Sequence, residues 1–396
     1  MRCLLEPSMP ESSAAFRAAA TYDRMTAAFG KRCILSGIKQ PALGILASVL
    51  IMAIALGFIS LFDFPRFSGW ISYVIMCLIP MEVMASVIWG SAQPGYVARS
   101  SQPLRGILLL LTCAAVGAVV AALQFYTVGA SVSPPAPMLV MWAIVAVAMT
   151  FWGAIMFGGW PFTSIIKSPV AAGFTMLLVC YALNYVLFRV FFNYEFMKGA
   201  PVYVASLDPH GLFNAWGALS CYVSVLGVLF LVINFDLWPF ATSPALMKQP
   251  VLGILWLILS LVIGGGAYYV GVNMMGMDPV AFMVKVPIPF IFGTIIMLNM
   301  LHNSIFAKLT QPLKGGLNTV ASAVIGWALA TMYSALAPAV TGALKQGPPA
   351  YEQEIWLASA LLAVTFPFLV AYAEFLKMWP LQRATAEKAV GVGSAN

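Results

Sequence analysis

One glutamate inside a long apolar segment is the residue best placed to carry chemistry. Glu82 follows Pro80 by two residues within an apolar run from Leu78 to Met84. A carboxyl group in hydrocarbon is costly when charged and unpaired, so it must be protonated, paired or open to a polar cavity. Because Pro80 has no N–H, it also leaves the carbonyl of Met76 unbonded. The pair predicts a site for a proton or a cation; the alternative is a protonated, hydrogen-bonded structural glutamate.

A second candidate is a lysine beside two prolines. Lys285 precedes Val286, Pro287, Ile288 and Pro289, and this segment is not expected to form a regular helix. Irregular backbone at membrane depth is tolerated where it lines a cavity or is buried in protein. We therefore predict that the ammonium group of Lys285 binds an anionic substrate as it enters from outside. Asn299 is predicted to lie further along the same pathway. The alternative is an interfacial lysine whose amine reaches the headgroups.

A third set of polar residues lies at the ends of three other apolar segments. Asp236, His302 and Glu374 fall at the predicted cytoplasmic ends of spans six, eight and ten. Asp236 and His302 occupy corresponding positions and would pair if their helices are neighbours. The set predicts a cytoplasmic gate or a proton exit. An ordinary polar shell at helix ends explains the same pattern.

Several kinds of chemistry have no signature in this chain. His210 and His302 are its only histidines, so a haem or di-iron site is not predicted. The sequence has no Walker phosphate-binding loop, no nucleophile elbow and no zinc-protease motif. We therefore predict no cofactor, no metal and no catalytic residue.

The elements that position these residues are marked by a recurring phrase. Its five copies centre on Pro41, Pro103, Pro169, Pro250 and Pro312, and all but the third read Gln-Pro. Successive prolines lie 62 to 81 residues apart, a period that fits two membrane-spanning helices with their connections. Proline is tolerated in the first turn of a helix, and a nearby glycine allows close helix packing. A second phrase, Trp-Pro in its clearest copies, marks the end of the following span.

The predicted fold is an all-α integral membrane protein with about ten transmembrane helices, arranged as five helical hairpins of parallel topology. Residues 1–40 form a cytoplasmic segment with the pattern of an interfacial amphipathic helix, or alternatively a partly disordered tail. Residues 41–380 form the membrane domain, and 381–396 a short cytoplasmic tail. The predicted spans are 41–62, 70–91, 104–128, 137–158, 169–193, 212–236, 250–273, 280–303, 316–340 and 354–378.

Composition and charge place the chain in a membrane. Of its 396 residues, 62% are hydrophobic and 8% are charged, whereas soluble domains carry about 25% charged residues. Most of the 20 Lys and Arg fall in the amino-terminal segment and in alternate loops. The exceptions are Arg66, Arg189, Lys198, Lys285 and Lys345. The positive-inside rule then predicts a bacterial inner-membrane protein with both termini in the cytoplasm, and the net charge of +7 is not a nucleic-acid footprint.

The functional prediction is a permease that carries out proton- or ion-coupled secondary transport of a small solute, with an organic anion suggested by Lys285. Glu82 is the coupling site in this hypothesis. Its partners are membrane lipids and the solute, with self-association or other membrane subunits as further options. The first alternative is a non-catalytic subunit or scaffold of a membrane complex. The second is a membrane enzyme acting on a lipid-type substrate, with Asp236, His302 and Glu374 as its only candidate cluster.

Overall fold

The computed structural model of the protein describes residues 39–90, 92–200 and 202–381. The predicted amino-terminal helix and carboxyl-terminal tail lie outside these residues, apart from Lys39, Gln40 and Leu381. Within them, ten helices are long and apolar enough to cross a membrane, which confirms the predicted number. In chain order, α1 to α10 are Ala42–Ile59, Phe64–Trp89, Leu104–Tyr126, Pro137–Met156, Pro169–Phe191, Ala215–Asn234, Val251–Met274, Pro279–Met300, Leu313–Val340 and Glu352–Phe375.

The start of α2 corrects the predicted boundary, which was 70. Asp63 caps the helix, because its Oδ1 accepts a hydrogen bond of 2.9 Å from the N–H of Arg66, and Pro65 occupies the first turn. A π-helical segment, Phe67–Ile71, then carries the chain into the regular helix. The aspartate and proline that looked like a loop are therefore the first turn of the span.

The even-numbered helices are more buried than the odd-numbered ones. In the most apolar stretch of each helix, 61 to 78% of the residues are buried in the even helices and 28 to 44% in the odd helices. The even helices contact one another in a closed cycle that runs α2, α4, α6, α8, α10 and back to α2. Large apolar side chains such as Leu111, Leu178 and Trp327 are exposed on the odd helices, as expected for surfaces that face lipid.

Each odd helix packs over a pair of even helices, and α7 and α9 also contact α8 and α10, respectively. The pairs are α10 and α8 under α1, α2 and α10 under α3, α4 and α2 under α5, α6 and α4 under α7, and α8 and α6 under α9. The first helix therefore packs on α8 and α10, near the other end of the chain. These contacts place the buried helices around a common axis.

The Gln-Pro phrases join the beginning of an odd helix to the end of an even one. The Gln102 amide donates to the carbonyl of Phe375 at 2.6 Å, and its Oε1 accepts from the N–H of Gly106 at 3.3 Å. The same pair of bonds recurs at three other positions: Gln40 with Met300 and Gly44, Gln249 with Met156 and Gly253, and Gln311 with Asn234 and Gly315. We call this side of the bundle the Gln-Pro end. Each glutamine satisfies a helix-start N–H and a helix-end carbonyl, the groups that helices leave unpaired.

The longest connection lies at the opposite end, between α5 and α6. Two short parallel strands, β1 (Phe192–Asn193) and β2 (Phe213–Asn214), hold its ends together. Asp208 is buried within it and accepts hydrogen bonds from the N–H of Tyr194 at 3.1 Å and the hydroxyl of Tyr203 at 3.0 Å. The loop is therefore ordered by its own contacts.

Candidate functional site

The five even helices enclose an apolar cavity near the middle of the bundle. Its volume is about 40 Å³, measured as the space open to the centre of a water-sized sphere, whereas one water needs roughly 10–15 Å³ by that measure. Every even helix contributes to the lining, and none of the odd helices does. The lining residues are Met76, Ile144, Val147, Ala148, Phe151, Tyr222, Val223, Leu226, Phe230, Ile291, Ile295, Leu362 and Phe366.

Three phenylalanines from different helices meet at this cavity. The ring of Phe151 in α4 lies 5.5 Å from that of Phe230 in α6 and 5.8 Å from that of Phe366 in α10. Each lies on the Gln-Pro side of the midpoint of its helix. Aromatic rings at these separations attract one another beyond their simple burial. The three rings therefore border the cavity on the Gln-Pro side.

The lining is apolar throughout. Its one hydroxyl belongs to Tyr222, which donates to the carbonyl of Val145 at 3.4 Å, and the Tyr222 ring packs 4.6 Å from that of Trp152. No charged side chain is among the lining residues. A compact hydrated ion would lose its water here without replacement, so the chemistry of the lining suits a molecule with apolar surface.

Glu82 and Pro80 are buried, and neither is among the residues that line this cavity. Glu82 is 1% exposed, and its Oε2 has no hydrogen-bond partner. Its carboxyl interacts electrostatically with Cys113 of α3. Pro80 lies within the helical segment Ser72–Val83, which continues past it. The predicted proton or cation site is thus an interhelical position between α2 and α3.

Lys285 and the two prolines after it lie in different surroundings. The break predicted for this segment is confined to Val286, since helix resumes at Pro287; the expected loss of helix through Pro289 is wrong. Lys285 is exposed, whereas Pro287 and Pro289 are buried against α6 and α9. Asn299 lies in the π-helical end of α8, and the structure does not bring it into the lining.

The three residues of the predicted gate separate into two groups at the Gln-Pro end. Asp236 Oδ2 lies 2.7 Å from the amine of Lys314 and accepts from Gln311 at 2.8 Å. Glu374 pairs with Lys377 at 3.1 Å, and both act electrostatically on His302. The anticipated pair of Asp236 with His302 is therefore replaced by an ion pair with Lys314.

Asp236 and His302 nevertheless occupy equivalent backbone positions. Each is the first of two successive residues with positive φ directly after its helix, at 49° for Asp236 and 51° for His302. Gly158 follows α4 and Lys377 follows α10 in the same way. Left-handed residues close helix ends by turning the chain away. The sequence correspondence thus reflects a shared helix-ending turn.

Comparison of the chain with protein-family models, curated proteins and solved structures finds no match.

Sequence reasoning identifies Gly117 and Gly264 as small residues that allow close helix packing, but it missed the spacing that α3, α7 and α9 share. Counting from the glycines of the phrases, Cys113, Ser260 and Ser322 come seven residues later, and Gly117, Gly264 and Gly326 eleven residues later. All six are buried, and the three glycines meet Leu78, Val225 and Pro289 of the even helices. The shared spacing becomes visible in the sequence when positions in each odd helix are counted from the glycine of its Gln-Pro phrase.

Among the residues that the structure describes, no group of three or more His, Cys, Asp and Glu side chains is arranged to hold a metal ion.

Proposed function

We propose that this multi-pass membrane protein is a permease that moves a small solute along the axis enclosed by α2, α4, α6, α8 and α10. One observation carries the proposal: a cavity at mid-depth to which all five buried helices contribute. A helix bundle that served only as a scaffold gains stability from close packing at its centre. An axial space bounded on one side by three aromatic rings suits the passage of a molecule.

The lining narrows the class of solute. It contains aliphatic, methionine and aromatic side chains and no charge, so we favour a small molecule with substantial apolar surface. An organic anion also fits this description if most of its surface is apolar. Lys285, which suggested an anion, is exposed and lies outside the lining.

The arrangement of the chain belongs to the same proposal. We infer five hairpins of parallel topology repeated about the axis, because the glutamine bonds and the packing of odd on even helices recur in cyclic order. The charge distribution favours termini in the cytoplasm of a bacterial inner membrane. Glu82 remains the proposed coupling residue, acting from the contact between α2 and α3.

The proposal is tested by filling the cavity. Purified protein is reconstituted into liposomes, and the flux of small neutral solutes and organic anions is compared with that of protein-free liposomes. Ala148 is 2% exposed and lines the cavity, so Ala148→Leu should obstruct it. If the added side chain raises the barrier to passage by about 1.4 kcal/mol, the flux falls about tenfold.

The matched control is Ala118→Leu, which adds the same atoms to an exposed position on α3. We expect a flux above background for at least one solute, a reduction of about tenfold in Ala148→Leu and none in Ala118→Leu. Flux at background for the whole panel, or equal effects of the two changes, would overturn the proposal and favour a subunit of a membrane complex.

A further inference from the structure

A buried junction of α6, α8 and α9 holds polar groups whose hydrogen bonding is incomplete. Asn234 is 0% exposed. Its Nδ2 lies 3.4 Å from the hydroxyl of Thr294 in α8 and 3.4 Å from that of Ser322 in α9. Its Oδ1 has no partner. Both contacts are longer than the 2.7–3.2 Å usual for such bonds, so the amide is held loosely between three helices.

A second asparagine lies in the same junction. Asn318 is 0% exposed, and neither its Oδ1 nor its Nδ2 has a hydrogen-bond partner. It stands one helical turn before Ser322 and three residues after Gly315 on α9. Since Ser322 contacts Asn234 and Gly315 packs against Phe235 of α6, the face that carries Asn318 lies between these contacts.

A buried cluster of this kind destabilises the folded protein unless its polar atoms find hydrogen-bond or ion partners. A buried polar group without a partner is penalised strongly in hydrocarbon, where no water is at hand. Native interiors therefore pair these groups with protein, water or an ion. The four side chains supply amide and hydroxyl oxygens, which are hard ligands. Asp236, two residues after Asn234, is already paired with Lys314 and Gln311.

The spacing of the oxygens also fits an ion. The nitrogen and oxygen of an asparagine amide are interchangeable by a flip, which would place Oδ1 of Asn234 near both hydroxyls. Oxygen ligands lie roughly 2.4 Å from Ca²⁺, an ion of nearly the same radius as Na⁺, and adjacent ligands of a six-coordinate ion are then roughly 3.4 Å apart. That separation matches the 3.4 Å between Asn234 and each of the two hydroxyls.

We propose that Asn234, Thr294, Asn318 and Ser322 bind a monovalent cation of the size of Na⁺. Neutral ligands favour a single positive charge, because a divalent ion needs carboxylates to offset its dehydration. None of these four residues lines the axial cavity. It gives the junction an occupant that satisfies its oxygens and ties three helices together. Binding can be measured without any transport assay, so the two proposals fail independently.

The test is thermal unfolding of the purified protein at constant ionic strength, with NaCl, KCl or LiCl replacing N-methyl-D-glucamine chloride. A ligand that binds only the folded state raises the melting temperature in a saturable manner. We expect such a rise with Na⁺, at lower concentrations than with K⁺. Asn318→Leu, which has a similar shape and no oxygen, should lose it.

The control is Ser260→Ala. Ser260 is 0% exposed, its hydroxyl has no partner, and it occupies in α7 the position of Ser322 in α9. This variant should keep the full response to Na⁺. If Asn318→Leu does not fold, Thr294→Val removes a single oxygen and should raise the half-saturating concentration of Na⁺. A wild-type protein that responds alike to all the salts, or variants in α8 and α9 that keep the wild-type response, would overturn the proposal and assign the junction to water.

Discussion

Gly326 of α9 meets the main-chain carbonyl of Pro289 in α8 with no room for a side chain between them. The contact is reciprocal, because Gly293 of α8 meets the carbonyl of Ser322 in α9. The two backbones therefore touch directly over more than one helical turn. In the proline-bearing segment of α8, Pro287 packs against α6 and Pro289 packs against α9.

The first prediction concerns this contact. Gly326→Ala places a methyl group against the carbonyl of Pro289 and should force the helices apart, at a cost of about 1–3 kcal/mol or more. Gly316→Ala is the control, since nothing lies within 4 Å of an added Cβ there, and alanine favours helix by about 1 kcal/mol. Thermal unfolding in detergent should show a lower midpoint for the first variant and an unchanged or higher one for the second. Equal midpoints would contradict the close contact.

The second prediction concerns the glutamine bonds at the Gln-Pro end. Gln102→Ala removes the bond to Phe375 and the bond from Gly106, and each such bond contributes about 0.5–1.5 kcal/mol. The melting temperature should fall accordingly. Gln346→Ala removes a bond between exposed side chains in a loop and should change stability by less than about 0.5 kcal/mol. A smaller effect at Gln102 than at Gln346 would show that the phrase does not join the helices energetically.

The third prediction is a pH dependence from His302. Burial lowers the pKa of His302 below 6.5; Lys377 adds to this effect, while Glu374 and the main chain of Asn299 oppose it. The unfolded chain then binds a proton at higher pH than the folded protein does. The free energy of unfolding should therefore decrease as pH falls from about 6.5 toward the lower folded pKa.

Replacing the histidine tests this assignment. Melting temperatures measured between pH 7.5 and pH 5.5 should decline less in His302→Gln than in the wild type. His210→Gln, a change at a histidine whose side chain is 55% exposed, should retain the wild-type slope. A slope in His302→Gln equal to that of the wild type would assign the acid sensitivity to other groups.

The fourth prediction concerns coupling by Glu82. Its carboxyl group is 1% exposed and carries an oxygen without a partner, so Glu82→Gln removes a protonatable group while keeping the shape. For any solute that the reconstituted protein transports, we expect the dependence of flux on pH to disappear in this variant. Glu195→Gln removes an exposed acid that is paired with Lys198 and serves as the control. Unchanged pH dependence in Glu82→Gln would assign this residue a structural role.

The sequence by itself determined the number of spans and nearly all of their boundaries. Long apolar stretches, prolines at helix starts and tryptophans at helix ends act locally, so they can be recognised without knowing which helices touch. The exception was the start of α2, where Asp63 and Pro65 read as a loop and form a capped first turn. The equivalence of Asp236 and His302 was likewise visible in the phrases, since both belong to the same kind of helix-ending turn.

Only the tertiary structure decided which residues face the axis. Helices of similar hydrophobicity became buried or exposed according to their neighbours, because lipid and protein interiors are equally apolar and composition does not distinguish them. The cavity residues, such as Phe151, Phe230 and Phe366, could not be recognised from the sequence, because each is one apolar residue among many in its own helix. The same holds for Asn234, which contacts Thr294 and Ser322 of distant helices. It also holds for Glu82, whose orientation toward α3 is fixed by packing.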